Sequence, residues 1–572
     1  MTDLVTHIRS NLSDDRELVF VRDDGTPTRL TFTELDRRAR ATAVWLTEHG
    51  LTDRPVPLLY PAGLEFTVAF LGCLYARVPA IPAPLPDAGA PHSNRVRALM
   101  RDAGARLVLT DAAHASTLSG ISARVVGPCA DPDGWTPPAL AAGTVAYLQY
   151  TSGSTSEPRG VEVSHGNLLH NLGLFRALTR GRPVRRLAGW LPHYHDMGLV
   201  GLQLQALHAG ADLVFMSPAA FVARPVRWLE LIGRYAADWT VSPDFGYAWC
   251  TRRITDEQLT GLNLATLTMA LSGAEPIRAG TLADFERRFA PAGFRPTMWN
   301  PGYGLAECTL MVTCTPQGQG ATVRTFAAAA LERHEAVPEP GGVPLVACGP
   351  VSGLDLQIME TDGSGPVPDG GIGEIWVAGP SVALGYRGRP EETLAAFHAG
   401  DGRWLRTGDL GFLLDGQLYV TGRIKDVVIV NGRNLYPQDL EEAALRANPT
   451  AGRSTAFGLR RPDGGEHVIL IQEVRRGHSA ALGETADRVM DLVTKEFGIP
   501  LSLLLVPRGA VRQTTSGKLR RRHMRELFLG GGLTPLHAEL EPAVSALLGA
   551  GSAHPLRPAE APSHPWSGHV RL

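Results

Sequence analysis

Long apolar runs are missing from this sequence. Its most hydrophobic stretch, Phe66 to Pro84, is broken by Arg77 and several prolines, whereas a membrane-spanning helix needs about 20 consecutive apolar residues. No membrane span is expected. Cysteine is scarce too: Cys73, Cys129, Cys250, Cys308, Cys314 and Cys348 stand apart with no CxxC pair. That argues against a zinc knuckle or a disulfide framework and fits a reducing cytoplasm. There is no charge excess, Lys and Arg numbering 55 against 57 Asp and Glu, so electrostatics does not recommend nucleic acid or an anionic membrane as partner. Met1-Thr2-Asp3-Leu4 lacks the charged-then-apolar pattern of a secretory leader. Two nucleotide signatures are also absent. Gly517-Lys518, the pair that could close a Walker loop, has Arg512 in place of the first glycine and Leu519 in place of Ser or Thr, and no GxGxxG follows a strand. Internal repeats are not visible.

What is present is a soluble-enzyme composition, 44% apolar and 20% charged over 572 residues, too long for one core. Strand-like runs (Arg106 to Thr110, Ala211 to Met216, Trp239 to Ser242) alternate with helically spaced segments (Val226 to Ala236, Ile277 to Phe289). That alternation predicts a mainly parallel α/β fold. After Gly341 the pattern changes to short strands, Leu354 to Met359 and Gly373 to Ala378, between Asp-Gly turns, as in a small antiparallel subdomain. It changes again near Gly422, where Val427 to Val430 and a helix from Pro437 to Ala447 open a compact α+β region. The expected organisation is an α/β N-terminal domain with a small β-rich subdomain over 1–421, a hinge at 422–426, a mobile α+β domain over 427–548 and a disordered tail over 549–572.

The most informative segment runs from Tyr150 to Gly160: Thr151-Ser152-Gly153-Ser154-Thr155-Ser156-Glu157-Pro158-Arg159-Gly160. Thr144 to Tyr150 before it reads as a buried strand, and from Ser164 onward the chain reads as a capped helix. A hydroxyl-rich, glycine-containing turn at a strand end can aim N–H and O–H donors at phosphate oxygens.

This segment resembles the phosphate loop of the adenylate-forming superfamily, which comprises acyl-CoA synthetases, fatty acyl-AMP ligases and peptide-synthetase adenylation domains. Other segments resemble that superfamily's motifs in its order: the adenine-binding segment Leu271-Ser272-Gly273-Ala274-Glu275-Pro276, Tyr303-Gly304-Leu305-Ala306-Glu307, the ribose-binding Thr407-Gly408-Asp409, the hinge Gly422-Arg423-Ile424-Lys425-Asp426, and Thr515-Ser516-Gly517-Lys518. The resemblance covers about Phe32 to Arg525. Taken singly, Glu307 is an ordinary surface carboxylate, Asp409 a turn residue and Lys518 part of a basic face; their joint order assigns them.

The resemblance implies an ATP- and Mg²⁺-dependent enzyme. Thr151, Ser152, Gly153, Ser154 and Thr155 would hold the β- and γ-phosphates, with Arg159 adding charge. Tyr303 and Gly304, beside Gly273 to Pro276, would receive adenine, and Asp409 the ribose hydroxyls. Glu307 and Thr151 would ligate magnesium, a hard ion suited to oxygen donors. Arg423 would reach ribose or phosphate, and Lys425 would serve as the pivot. Lys518 would bridge the attacking carboxylate and the α-phosphate, since joining two anions is a problem of charge.

His193-Tyr194-His195-Asp196 invites a transition-metal reading. The surrounding Trp190 to Leu199 instead resembles the superfamily's acyl-pocket segment, with His195 beside the reacting carboxylate and Trp190, Met197, Gly198, Phe245 and Tyr247 lining the pocket. The Asp that pairs with an amino-acid ammonium in this segment has no counterpart, which disfavours an amino acid. Leu191-Pro192-x-Tyr194-His195-Asp196-Met197-Gly198-Leu199, Met216-Ser217-Pro218, Arg224-Pro225-x-x-Trp228-Leu229 and Asn431-Gly432-Arg433-Asn434-x-Tyr436-Pro437-Gln438-Asp439 resemble fatty acyl-AMP ligases in particular. Residues 316–345 correspond to the insertion that disfavours CoA in those ligases; by composition alone they could be a surface loop. Ser156 replaces a glycine, Arg159 a lysine and Asp244 an asparagine, and Trp249 is bulky, which keeps a shorter, aromatic or polar acid open.

The expectation is activation of a fatty acid as acyl-adenylate, then acyl transfer to a separate holo acyl carrier protein. The competing readings are an acyl-CoA synthetase, an aryl or short-acid ligase, an impaired acyl- or nucleotide-binding relative, and a metallohydrolase built on His193, His195 and Asp196.

Overall fold

The computed structural model describes residues 3–86, 90–118, 120–125, 131–151, 159–430, 433–460, 466–475, 479–514 and 517–549. They form two compact units, Met1–Thr421 and Gly422–Leu572.

The first unit is built on three sheets. In the largest, the strands run in the order Met311–Cys314, Trp299–Gly304, Met269–Ser272, Trp239–Ser242, Arg186–Gly189, Asp212–Met216, Glu17–Val21, Pro27–Thr31. The inner neighbours pair in parallel and only the two edges are antiparallel. The inner strands Asp212–Met216, Trp239–Ser242 and Met269–Ser272 are buried at every position, which is why they read as continuous apolar runs rather than alternating ones. A second sheet has the order Ala123–Arg124, Val108–Leu109, Val56–Leu58, Ala80–Pro82, Val145–Thr151, Arg159–Ser164. The apolar stretch noted above is the helix Leu64–Tyr75, buried at every residue but Glu65, as a core helix must be when it is apolar all round. Among the described residues no helix is long and apolar enough to cross a membrane.

Between the hydroxyl-rich segment and the capped helix expected from Ser164 lies one further strand. Arg159–Ser164 is a strand that pairs antiparallel with Val145–Thr151, Thr151 opposite Arg159. Only then does Ser164 cap the helix His165–Leu178, its side chain and that of Asn167 exchanging bonds with each other's backbone N–H. The burial of Val161 and Val163 around the half-exposed Glu162 is the alternation that marks this strand. Ser152, Gly153, Ser154, Thr155 and Ser156 lie outside the described residues.

The third sheet is the β-rich subdomain, in the order Val323–Phe326, Val343–Pro350, Gln417–Arg423, Leu405–Leu414, Gly373–Ala378, Asp355–Met359. Residues 316–345 are more than a loop. They supply the edge strand Val323–Phe326, antiparallel to Val343–Pro350, and the short helix Ala328–Leu331.

In the second unit the hairpin Val428–Val430/Arg433–Leu435 precedes a four-stranded sheet ordered Ser454–Arg460, Glu466–Val474, Leu501–Pro507, His537–Glu539. Leu440 and Ala443 of the helix Pro437–Ala447 and Val489 and Val493 of the helix Ser479–Phe497 share one apolar cluster with this sheet. Met524 and Phe528 of the helix Arg521–Leu529 share another. Arg521 bridges the elements: its Nε and Nη2 donate to the two oxygens of Glu441 at 2.8 Å each, and its Nη1 to Asp426 at 3.1 Å. Because Glu441 is only 3% exposed, Arg521→Met is expected to cost about 3–5 kcal/mol by leaving a buried carboxylate without its cation. Adding Glu441→Gln to that variant is expected to recover part of the loss, measured by urea denaturation.

Candidate active site

The carboxyl ends of the parallel strands gather the candidate nucleotide residues, where ligands bind in open α/β sheets. Met269–Ser272 and Trp299–Gly304 lie side by side, Ser272 opposite Pro301, so Gly273, Ala274, Glu275 and Pro276 emerge next to Tyr303 and Gly304. Ala274 takes φ +66°, turning the segment sharply. The Tyr303 hydroxyl donates to Asp409 Oδ2 at 2.8 Å across 106 positions of sequence. Burial and the Asp409 carboxylate hold that phenol well above its ordinary pKa, so it stays a donor. Asp409 is placed by its own turn: its N–H donates to Thr407 Oγ1 at 3.1 Å, and the Gly408 N–H to Glu374 Oε1 at 3.0 Å.

Glu307 sits one turn beyond Tyr303. Its Oε1 accepts from the Tyr386 hydroxyl at 2.9 Å, and its backbone carbonyl from the Ala383 N–H at 2.9 Å. Tyr386 is a site residue the sequence reading missed; the signal was an aromatic in the Gly385-Tyr386-Arg387 turn. The guanidinium of Arg159 lies 5.7 Å over its ring and its Nε is 2.9 Å from Glu392 Oε2. At the other end of the hydroxyl-rich segment, the Tyr150 hydroxyl donates to Asp102 at 2.6 Å. Arg389 joins the two ends, donating to Asp102 at 3.2 Å and to Glu392 at 3.0 Å. Both ends of the hairpin are thus tied into one carboxylate–guanidinium network. Thr151 ends its strand; its side chain lies outside the described residues.

His195 heads a tight turn in which Gly198 has no room for a side chain, since a Cβ there would lie 2.1 Å from the Pro192 carbonyl oxygen. Nδ1 of His195 is 2.8 Å from Asp196 Oδ1 and accepts from the Met197 N–H at 3.3 Å. Met197 is buried and its N–H donates to Asp196 at 2.6 Å. Trp190 stacks on Phe221 at 3.8 Å and meets Phe245 edge-on at 5.7 Å, an aromatic wall.

Tyr247 is placed elsewhere. It is buried among Trp228, Phe285 and Trp299, and its hydroxyl donates to the Leu271 carbonyl at 2.9 Å, so it holds its helix to the sheet. Asp244 is spent structurally: Oδ1 accepts from the Arg278 N–H at 3.0 Å, and Oδ2 from Arg278 Nη1 at 3.2 Å and Thr281 Oγ1 at 3.0 Å. It therefore gives no reason to expect a polar acid. Trp249 bridges to the neighbouring helix Pro218–Ala223, its indole N–H donating to the Val222 carbonyl at 3.2 Å.

In the second unit, Arg423 closes a turn, its carbonyl accepting from Asp426 and Val427 N–H, and Lys425 is exposed within it. Lys518 is bonded to Thr514: its carbonyl accepts from the Thr514 N–H at 2.8 Å and its N–H donates to Thr514 Oγ1 at 3.0 Å. Thr515, Ser516, Asn431 and Gly432 lie outside the described residues.

With this geometry described, comparison with known proteins decides the family. Residues 8–387 match the AMP-binding enzyme family. The chain belongs to that family. It is 40% identical to a medium-chain-fatty-acid–[acyl-carrier-protein] ligase, JamA, of Moorena producens, over 90% of this chain and 92% of that one. It is 35% identical to a 4-hydroxyphenylalkanoate adenylyltransferase of Mycobacterium marinum, over 90% and 88%. The crystal structure of a fatty acyl-adenylate ligase of Legionella pneumophila, in complex with acyl adenylate and pyrophosphate, is 33% identical and superposes with a TM-score of 0.73, covering 92% of this chain and 96% of that one. Among the described residues, Tyr386 bonds Glu307 and lies under Arg159, and Arg389 joins Asp102 to Glu392.

The transition-metal reading of the histidine segment fails on geometry. His193 is turned onto the Phe66 ring at 4.1 Å, and among the described residues no group of three or more His, Cys, Asp or Glu is placed to hold a metal ion. Burial pushes His193 down to about 3 and His165 down to about 4. The unfolded chain therefore takes up these protons first. Stability is complete above pH 6.5 and is expected to fall toward pH 4 by about 1.4 kcal/mol per pH unit for each group. Melting temperatures from pH 7 to 4 check this, with a flatter profile expected for the double variant His165→Leu, His193→Phe.

Proposed function

We infer that this AMP-binding enzyme is an adenylate-forming ligase: it activates a fatty acid as acyl-adenylate and passes the acyl group to the phosphopantetheine thiol of an acyl carrier protein. The observation that carries the reading is the pairing of Tyr303 with Asp409 beside Glu307, in a chain similar over nine-tenths of its length to a fatty acid–carrier-protein ligase. In the first half-reaction a carboxylate oxygen of the acid attacks the α-phosphorus of ATP, the bond to the β-phosphate breaks and pyrophosphate leaves. In the second, the thiolate attacks the acyl carbon and AMP leaves. Asp409 is oriented to accept from ribose hydroxyls, and Tyr303 offers its ring to adenine. His195 would stand beside the reacting carboxylate, near the wall of Trp190 and Phe245. Lys518, carried by the second unit, neutralises the approach of the two anions, and Lys425 is the pivot by which that unit withdraws between half-reactions.

The donor set fits magnesium. Glu307 commits Oε1 to Tyr386 and, among the described residues, Oε2 to none, and a magnesium ion is ordinarily held by one or two carboxylates together with substrate phosphates. Glu307 and the Thr151 hydroxyl would hold it, and bound there it supplies charge neutralisation at the departing pyrophosphate.

A second acid class has its own support in the 35% identity to a 4-hydroxyphenylalkanoate adenylyltransferase, and the aromatic wall suits a phenyl ring as well as a methylene chain. Acid-dependent ATP–pyrophosphate exchange over medium-chain, long-chain and 4-hydroxyphenyl acids separates the two, with the strongest exchange expected for fatty acids. Lys518→Ala is expected to lower exchange about 10²-fold or more while acyl transfer from preformed adenylate survives. Transfer to a holo carrier protein is expected to exceed transfer to CoA; efficient CoA thioester formation would make the chain an acyl-CoA synthetase.

A further inference from the structure

Just beyond Glu307 the backbone does something unusual. Thr309, a β-branched residue, takes φ +68° and ψ −56°. The Leu310 N–H donates back to the Cys308 carbonyl at 2.7 Å. Together these are the γ-turn of the rare, strained sense, and a positive φ at a β-branched residue is a genuine outlier. Such a conformation persists only where its surroundings over-determine it, and here they do. The Thr309 hydroxyl donates to the Ser381 carbonyl at 2.8 Å. Asn171 grips the same turn from the other side: Nδ2 donates to the Cys308 and Met311 carbonyls at 3.2 and 2.9 Å, and Oδ1 accepts from the Met311 N–H at 3.1 Å. Asn171 Nδ2 also donates to Ser381 Oγ at 3.0 Å, closing the cluster. Asn171, Thr309 and Ser381 are all fully buried. On the upstream side, Gly304 admits the turn because a Cβ there would lie 1.8 Å from the Leu310 carbonyl oxygen.

These buried groups converge on the segment immediately after Glu307, from Cys308 to Met311. We propose that Thr309 is a positioning residue: its strained γ-turn, locked by Asn171 and Ser381, sets the direction in which the Glu307 carboxylate would present its second oxygen to a magnesium ion. The proposal rests on the reading of Glu307 as a magnesium ligand. A relaxed turn would let the Glu307 backbone rotate about the two bonds that remain, Ala383 N–H to its carbonyl and Tyr386 to Oε1. The carboxylate would then lose its aim while the adenine and ribose contacts at Tyr303 and Asp409 stayed in place.

The test uses the full-length protein and two readouts: the magnesium concentration giving half-maximal pyrophosphate exchange, and calorimetric affinity for a non-hydrolysable acyl-sulfamoyl adenosine, which has neither triphosphate nor metal. Thr309→Ala, which removes the hydroxyl anchor but keeps the strained Cβ, is expected to raise the magnesium requirement about tenfold, equivalent to about 1.4 kcal/mol of alignment. Affinity for the adenylate mimic is expected to stay within about twofold, and Thr309→Ser, which restores the hydroxyl, to return the magnesium requirement to that of the parent. Thr309→Gly adopts a positive φ without strain and carries the same test if the alanine variant does not fold. An unchanged magnesium requirement in both variants overturns the proposal, as does a parallel loss of affinity for the mimic. Glu307→Gln separates this from its premise: if its magnesium requirement equals that of the parent, Glu307 is not a magnesium ligand and the proposal falls with that reading.

Discussion

The hydrogen bond from Tyr303 to Asp409 is the contact on which the site depends. It ties the carboxyl end of the parallel sheet to the antiparallel subdomain within the first unit, and each partner is delivered by a local device. Tyr303 stands where its strand shifts register against Met311–Cys314. Asp409 follows a glycine at φ +71° whose N–H is held by the buried Glu374. Separate the two sheets and Asp409 loses Tyr303, although the Gly273–Pro276 segment keeps its place beside Tyr303. The low exposure of both side chains strengthens the bond electrostatically and makes it costly to leave half made.

Around this contact the charges are arranged as a network rather than as isolated cations. Arg159 and Arg389 share Glu392, Arg389 also binds Asp102, and Tyr386 lies between Arg159 and Glu307. A guanidinium suits this sharing better than an ammonium would, because its planar fork can serve a carboxylate while its face rests on an aromatic ring. This gives a physical setting for the arginine that stands at position 159, where the resembled loop has a lysine.

Much of the architecture was legible wherever one periodicity ruled. Gly373–Ala378 and Pro437–Ala447 appear with the bounds their patterns suggest, and Ser164 caps its helix. The strand Arg159–Ser164 was obscured because Pro158-Arg159-Gly160 reads as a turn, although valines alternate just after it. Glu307, Asp409 and Tyr303 could be found from local motifs. Asn171 and Ser381 could not, because their roles arise from contacts spanning 72 to 210 positions, which no spacing rule reports, and Tyr386 offered only an aromatic in a turn. Tyr247 shows the opposite error. Asp244, Tyr247 and Cys250 recur every three residues and share the buried face of their helix, whereas Phe245, on another face, meets Trp190.

The bond between Asp244 and Arg278 has a bearing on redesign. The Arg278 backbone and side chain both end on that carboxylate, and Glu275, three residues earlier, accepts the Phe245 N–H at 2.5 Å. The helix that carries the aromatic wall and the segment beside Tyr303 are therefore one mechanical piece. A new acid preference sought at position 244 would disturb the nucleotide side of the cleft in the same stroke. Changes to the side chains of Phe221 or Phe245 alter the aromatic wall while leaving that coupling whole.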